Sequence, residues 1–518
     1  MDMEGQQAGK RSPAASLPEG GRLVVASNRL PVVLQPGRDG GWALEPGSGG
    51  LVTALEPVLE RTHGLWIGWP GVEGEGLDEV DRTLEEESDH LGYEIRGVPL
   101  TSEEVQDFYL GFANQVVWPL FHDFQTQCNF DPRFWRTYRH VNRKFAEVIA
   151  REHKEGDFIW VHDYHLMSTA EELRKLGVDA KLGFFLHTPF PPVDLFLKLP
   201  WRYEVLGSLL RFDLVGFQTA RDRKNFSECV RHLAPDLQCR GEEGQRVIQV
   251  QTPEREVGVG AFPISIDVDE FHEAALTEAV SERVARIWAE FPGRILILGV
   301  DRLDYTKGIP HKLEGYRLAL ERYPELQERV SLVQLVIPSR EDIPEYERLK
   351  REIERLVGQI SGEFTRPGWV PVHYQYGSWK REELIAHYRA SRVALVTPLK
   401  DGMNLVAKEF CASSLEGEGV LVLSEYAGAT AQMQQDALLV NPYDAEGVAE
   451  ALYRACSMEE SERRRRMERM RDKIRAEDIY WWVETFLQAA QGHDLGTAAA
   501  VDHYQPYPGR NLFEDASG

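Results

Sequence analysis

Two doubly wound α/β domains are what this sequence predicts, on three observations: its length, a series of short apolar runs separated by helix-length amphipathic stretches, and a restart of that series after Pro263. At 518 residues the chain exceeds the size at which a single hydrophobic core stops growing. Continuous apolar runs of four to six residues, with no polar alternation, are the mark of strands buried on both faces of a parallel sheet.

Residues 1–20 are rich in Gly, Gln, Pro, Ser and Ala, show no apolar periodicity, and are expected to form a flexible leader. The first domain is expected over 21–262, with strands in Leu23-Val24-Val25-Ala26, Phe158-Ile159-Trp160-Val161, Leu182-Gly183-Phe184-Phe185-Leu186 and Leu214-Val215-Gly216-Phe217. Pro263-Ile264-Ser265-Ile266-Asp267 marks the boundary. The second domain, 263–476, repeats the pattern in Ile295-Leu296-Ile297-Leu298-Gly299-Val300, Leu332-Val333-Gln334-Leu335-Val336-Ile337, Val393-Ala394-Leu395-Val396 and Gly419-Val420-Leu421-Val422-Leu423. No repeat of 20 to 50 residues is present, which excludes solenoids and propellers. Arg463-Arg464-Arg465-Arg466 among glutamates predicts a solvated helix face. Trp481, Trp482, Val483, Phe486 and Leu487 then form an apolar helical cluster over 477–490 that is expected to pack on a domain, and 491–518 reads as a loose tail.

The formal charge of −24 repels a phosphate backbone and an anionic membrane, so neither nucleic acid nor membrane is an expected partner. An anionic small molecule on such a protein needs clustered Arg and Lys, which makes the positions of those residues informative. The five cysteines, Cys128, Cys229, Cys239, Cys411 and Cys456, are widely spaced and never form a C-x-x-C pair, so reduced thiols and a cytoplasmic location are expected. There is no secretory h-region and no apolar run of membrane-spanning length.

In open α/β sheets ligands bind beyond the carboxyl ends of the strands, where loops converge and helix N-termini present unpaired N–H groups. The first strand ends in Ser27-Asn28-Arg29, and a glycine loop, Gly47-Ser48-Gly49-Gly50, follows it before a helix. Asp301-Arg302-Leu303-Asp304-Tyr305-Thr306-Lys307-Gly308 follows the strand ending at Val300, and two cations five residues apart at a strand end can converge on one diphosphate. Lys400-Asp401-Gly402-Met403-Asn404-Leu405-Val406-Ala407-Lys408-Glu409 follows the strand that ends near Thr397, with a glycine turn opening a helix. Its ionised Asp401 and Glu409 are acceptors suited to sugar and ribose hydroxyls.

Together with Ser27-Asn28-Arg29-Leu30-Pro31, Trp66-Ile67-Gly68-Trp69-Pro70-Gly71, Trp160-Val161-His162-Asp163-Tyr164-His165-Leu166 and His187-Thr188-Pro189-Phe190-Pro191, these blocks resemble the trehalose-6-phosphate synthase family, in order and spacing, from about residue 22 to 488. The resemblance implies a GT-B glycosyltransferase, with two Rossmann-like domains facing a central cleft and a C-terminal helix crossing back to the first. It implies transfer of glucose from UDP-glucose to glucose 6-phosphate, with retention, giving α,α-trehalose 6-phosphate and UDP. Arg302 and Lys307 would bind the diphosphate, Glu409 the ribose and Asp401 the donor glucose. The backbone of Gly402, Met403, Asn404, Leu405 and Val406 would meet the phosphate and sugar, with Gly50 over the donor. Arg29 and Arg340 would hold the acceptor phosphate, with Tyr109 and Trp118 completing that pocket, and Asp163 and His187 would flank the reacting sugars.

The sequence departs from the family's usual pattern at Leu110, Ala113 and Ser265, which touch the acceptor side and the boundary. Rival readings are a same-fold transferase with another phosphorylated acceptor, such as glycerol 3-phosphate or a cyclitol phosphate, and a catalytically silent regulatory subunit. Retention of Arg302, Lys307, Asp401, Glu409 and Asp163 argues against the second. His162 with His165, and Asp267 with Asp269, lack an obvious further ligand, so no metal and no cofactor are expected. A homo-oligomer is expected. With no Asp-x-Asp-x-Thr motif present, a separate phosphatase is expected to act on the product.

Overall fold

The computed structural model describes residues 21–36, 42–47, 50–74, 78–241, 244–340, 343–493 and 495. The leader, and the tail past 495, lie outside the described residues. The chain divides into two compact units, one reaching to Asp267 and resuming at Glu477, the other Val268–Ala476.

The first unit contains β1 (Leu23–Arg29), β2 (Val32–Pro36), β3 (Trp42–Pro46), β4 (Leu65–Trp69), β5 (Glu94–Gly97), β6 (Phe158–His162), β7 (Lys181–Phe185), β8 (Leu214–Phe217), β9 (Gln238–Arg240), β10 (Val247–Gln251) and β11 (Glu256–Ala261). Nine of these form one sheet in the order β5-β4-β1-β6-β7-β8-β11-β10-β9, parallel from β5 to β11 and antiparallel at the β10 and β9 edge. The apolar runs are buried on both faces: Leu23, Val24, Val25 and Ala26 of β1 and Ile159, Trp160 and Val161 of β6 are wholly inaccessible to solvent. Both faces are covered by helices, as an all-parallel core requires.

The second unit holds β12 (Ile295–Arg302), β13 (Val330–Ile337), β14 (Val372–Tyr376), β15 (Val393–Val396), β16 (Val420–Ser424) and β17 (Leu438–Val440). Its sheet is wholly parallel, in the order β14-β13-β12-β15-β16-β17. Counted within the unit this is 3-2-1-4-5-6, the doubly wound order in which the direction of winding reverses between the first and fourth strands. The first unit has the same reversal between β1 and β6. In each unit, therefore, the crevice at the switch point lies beside the first strand's carboxyl end.

The helix Ile479–Ala490 belongs to the first unit. Asp478 caps it by accepting from the Trp481 amide at 2.8 Å, while the Ile479 amide donates to the Ile266 carbonyl at 3.1 Å. Its Phe486 ring stacks on Trp160 with centroids 4.2 Å apart. Gly183 and Gly216, on β7 and β8, leave the space for it: a Cβ on Gly216 would stand 2.7 Å from the Phe486 ring and 2.8 Å from that of Phe185.

The helix Glu460–Ala476 carries the arginine run, and one member of it turns inward. Arg464 and Arg465 are exposed, but Arg463 is buried, donating to the Met458 carbonyl and pairing with Glu418 at 3.3 Å. Its position one turn before Met467 places it on the apolar face, and the carboxylate and carbonyl satisfy a charge that burial would otherwise make costly.

Gly216→Ala is expected to lower the thermal midpoint by an amount equivalent to about 1–3 kcal/mol, because the added methyl overlaps two rings that are themselves packed. Trimming the ring in Gly216→Ala/Phe486→Leu is expected to cost less than the sum of the single changes. Strict additivity in a thermal-melt cycle would show that the glycine is not there to admit Phe486.

Candidate active site

In the second unit, β12 delivers Arg302 to an exposed position at its carboxyl end, and the chain then makes the 3₁₀ turn Tyr305–Lys307. Asp304 caps that turn, its Oδ1 accepting from the Thr306 amide at 3.0 Å and from the Thr306 hydroxyl at 2.9 Å. Gly308 closes the turn with φ +63°, where a side chain would be strained and would also meet the Thr397 carbonyl at 2.9 Å. The turn thereby packs against the segment that follows β15, and Lys307 Nζ reaches Asp401 Oδ2 at 2.6 Å.

Asp401 Oδ2 also accepts from Asn404 Nδ2 at 3.1 Å, and Asn404, held at φ +78°, caps the helix Leu405–Ser413 through the Ala407 amide. With Asn404 engaged at Ala407, the amides of Leu405 and Val406 meet no acceptor among the described residues. Open amides at a helix N-terminus are the kind of group that an anion can meet. Gly428 lies against this turn so tightly that a Cβ there would overlap the Gly402 carbonyl. Deeper in the helix, Glu409 Oε2 accepts from the Tyr388 hydroxyl at 2.7 Å, and burial raises the Glu409 pKa above the ordinary carboxylate value. Arg340, at φ +50°, pairs with Asp304 Oδ2 at 3.3 Å and with the Tyr346 hydroxyl at 2.7 Å.

In the first unit, Arg29 ends β1 with its guanidinium over the Trp69 ring, 3.9 Å from the centroid. Gly71, at φ +90°, allows this, since a Cβ there would stand 2.3 Å from Arg29 Nη1. A run of rings leads away from the arginine: Trp69 to Tyr109 at 6.0 Å, Tyr109 to His165 at 5.9 Å, His165 to Tyr164 at 4.0 Å and Tyr164 to Trp118 at 5.8 Å. Tyr109 lies in the π-helical segment Val105–Val117, and Trp118 follows directly. Ala113 is wholly buried and Leu110 partly so, and the Ala113 carbonyl accepts the Trp118 amide.

Asp163 follows β6 at φ +71°, a conformation strained for a side chain-bearing residue, and its Oδ1 accepts from the His187 amide at 3.2 Å. The His187 ring is held from both sides. The Ile264 amide donates to Gln218 Oε1 at 2.9 Å, so the Gln218 amide nitrogen faces His187 Nδ1 at 3.4 Å. His187 Nε2 then carries the proton and donates to His162 Nδ1 at 3.1 Å. Burial pushes His187 down to about 3 and holds His162 well below the usual histidine range, with the His187 ring adding to the effect on His162. Both rings are neutral at neutral pH.

The family model described as glycosyltransferase family 20 matches residues 21–492. Trehalose-6-phosphate synthase of Mycolicibacterium vanbaalenii is 44% identical over 473 residues, covering 91% of this chain and 96% of its own. That of Mycolicibacterium gilvum is 45% identical over 471 residues, 90% and 93% of the two chains. Among solved structures, the α,α-trehalose-phosphate synthase (UDP-forming) of Burkholderia xenovorans in complex with glucose-6-phosphate superposes with a TM-score of 0.81 at 33% identity, over 91% of this chain and all of that one. The E. coli protein bound with UDP-2-fluoro glucose gives 0.81 at 34% identity, over 91% and 99% of the two.

The chain belongs to glycosyltransferase family 20. Its fold is GT-B, built of two Rossmann-like units. For this family 20 chain, the structure gathers Lys307, Asp401 and Asn404 into one cluster in the second unit, and Asp163 and His187 into another in the first. Of the residues expected to hold the acceptor, Arg29, Tyr109, Trp118 and Asp163 belong to the first unit and Arg340 to the second. Gly50 opens the helix Gly50–Thr62, while Ser48 and Gly49 lie outside the described residues.

Five partners were not picked out by the sequence: Asp304, Gln218, Tyr346, Tyr388 and His162 in its role beside His187. Asp304 stands inside the Arg302 block, so its position at a strand end was the available signal. In the sequence His162 stands out only as a potential metal ligand, and its Nδ1 is instead occupied by His187. Among the described residues no group of three or more His, Cys, Asp and Glu side chains is arranged to hold a metal ion. None of the five cysteines is in a disulfide, and no described helix is long and apolar enough to cross a membrane.

The depressed histidines fix a pH dependence of stability. Unfolded, His187 titrates near 6.5, whereas folded it titrates at about 3. Below pH 6.5 the unfolded chain takes up a proton that the folded chain refuses, so stability is intact above that pH and falls as pH drops toward 3. His187 alone is expected to remove about 2 kcal/mol by pH 5. Urea midpoints at pH 7 and pH 5 should therefore diverge, and diverge less in His187→Asn. An equal divergence in the variant would refute the assignment.

Proposed function

We propose that this chain transfers glucose from UDP-glucose to glucose 6-phosphate, with retention, giving α,α-trehalose 6-phosphate and UDP. The observation that carries this reading is the cluster at the switch point of the second unit. A cation on a capped turn, Lys307, meets Asp401, and Asp401 is hydrogen-bonded to the residue that caps a helix with two open amides. The curated relatives bear the name of that synthase over most of the chain, and solved relatives carry glucose-6-phosphate and a UDP-sugar analogue.

Arg302 and Lys307 take the donor diphosphate. As the bond from C1 of glucose to the β-phosphate oxygen breaks, negative charge grows on the phosphate, and cations already in place stabilise that state more than the ground state. The Leu405 and Val406 amides, with the turn of Gly402, Met403 and Asn404, supply further dipoles to the phosphate and sugar. Asp401 accepts from donor glucose hydroxyls once Lys307 turns to the phosphate. Glu409 accepts from the ribose, and Gly50 lies over the donor. Arg29 and Arg340 bind the acceptor phosphate, with Tyr109 and Trp118 bounding the acceptor pocket.

Retention follows from attack on the face from which UDP leaves. The acceptor's anomeric hydroxyl oxygen bonds to C1, and its proton passes to the departing β-phosphate oxygen. Asp163 takes part by position and charge, and His187, neutral at neutral pH, by hydrogen bonding. No metal step is needed, because the two basic residues and the helix amides supply the charge stabilisation. The chain works in the cytoplasm, as a homo-oligomer, with a separate phosphatase acting on its product.

Lys307→Ala is expected to reduce kcat/KM for UDP-glucose by about 100- to 1,000-fold, the cost of one lost oxyanion-stabilising donor. Unchanged turnover would remove Lys307 from the site. Release of UDP from UDP-glucose and glucose 6-phosphate is expected to continue at an undiminished rate in EDTA, and its abolition by the chelator would overturn the metal-free mechanism.

A further inference from the structure

One buried carboxylate, Asp304, is bonded both to the turn that carries Lys307 and to Arg340. Asp304 is 1% exposed. Its Oδ1 is used entirely on the turn that carries Lys307, accepting from the amide and hydroxyl of Thr306. Its Oδ2 faces the other way, toward Arg340 Nη1 at 3.3 Å and the Tyr346 hydroxyl at 3.4 Å. Arg340 donates in turn to that hydroxyl at 2.7 Å. Burial alone would push the Asp304 pKa up, but the charges of Arg340, Arg302 and Lys307, with the Thr306 amide, bring it below its ordinary value. The carboxylate is therefore ionised, and all three cations contribute to keeping it so.

We propose that Asp304 is a positioning residue through which Arg340 controls the donor clamp: by neutralising Asp304, Arg340 leaves Arg302 and Lys307 available to the diphosphate. The inference rests on the donor and acceptor roles proposed above. Its physical basis is that a buried anion paired with Arg340 also lies in the field of Arg302 and Lys307, which flank it in sequence. If one cation is removed, the uncompensated charge leans harder on the remaining two, as expected when one partner of a buried pair is lost. Lys307 and Arg302 then have a stronger internal competitor for the same charge that a ligand offers them. A residue assigned to the acceptor thus sets affinity for the donor. By linkage the donor's diphosphate, in offering Lys307 and Arg302 another anion, tightens the hold of Asp304 on Arg340.

The test is calorimetric titration of UDP into the full chain with no acceptor present. Arg340→Gln is expected to weaken UDP by about tenfold, although Arg340 is assigned to the other substrate. Asp304→Asn/Arg340→Gln is expected to restore binding close to that of the unaltered chain. The asparagine oxygen still accepts from Thr306 and preserves the turn, while the competing charge is gone. Arg340→Lys, which keeps the charge but loses the guanidinium fork, is expected to hold UDP tightly and serves if the glutamine variant does not fold.

Unchanged UDP affinity in Arg340→Gln would overturn the proposal. So would a double variant as weak as the single, which would mark a loss of structure instead of charge competition, and so would weakened UDP binding in Arg340→Lys. Lys307→Ala separates these failures from failure of the underlying reading. If it weakens UDP while Arg340→Gln does not, the donor site stands and only the coupling falls. If Lys307→Ala has no effect, the site assignment falls with it.

Discussion

In each unit the first strand lies between the second and the fourth, so the connections leaving the first and fourth strands turn to opposite faces of the sheet. The loops part, and a crevice opens at their carboxyl ends. Several of the charged groups assigned a role stand at such a place. Arg29 ends β1 and Asp163 follows β6 in one unit, while Arg302 ends β12 and Asp401 lies in the segment after β15 in the other. The reversal of winding comes first; chemistry uses the gap that it leaves. A parallel sheet buried on both faces also makes the gap rigid, because its strands are locked in register over their length, as from Ile295↔Val330 to Arg302↔Ile337.

Rigidity alone would not hold several like charges together in a protein of formal charge −24. The cations are kept in place by internal carboxylates: Asp401 on Lys307 and Asp304 on Arg340. Under the proposed roles, a ligand at Lys307 or Arg340 exchanges one anion for another. This lowers the desolvation cost that isolated buried cations would carry and lets the site exist before substrate arrives. Below it the same device recurs in the purely structural pair of Lys312 and Asp301, which is steadied by the Gln334 amide at 2.9 Å.

The strands were legible because burial on both faces leaves an unbroken apolar run, and polar residues at the ends of those runs pointed to Arg29, Arg302 and Lys307. What was not legible depends on residues distant in sequence. Arg340 reaches Asp304 across 36 positions, and His162 meets His187 across 25. Gly216 could be read only as a strand glycine, because the ring it admits arrives 270 residues later, from Phe486. The π-helical segment Val105–Val117 likewise leaves no periodic trace that separates it from an ordinary helix. Arg463 looked like its exposed neighbours, since one position's difference in helical phase decides which arginine turns inward.

The same long-range contacts tie the ends of the first unit to its reactive side chains. The chain leaves that unit after Asp267 and returns at Glu477. The outgoing and returning segments are bonded together, Ile479 to Ile266 through the backbone and Tyr480 to Asp267 through its hydroxyl at 2.7 Å. Two residues upstream of Ile266, the Ile264 amide holds Gln218, whose other end faces the His187 ring, and the His187 amide bonds to Asp163. Hydrogen bonds thus run from the segment at 264–267 through one amide side chain to the His187 ring, and from the His187 amide to the Asp163 carboxylate. Both crossings of the chain converge on this segment, so they bear on one path to the site. That path is short and composed of hydrogen bonds.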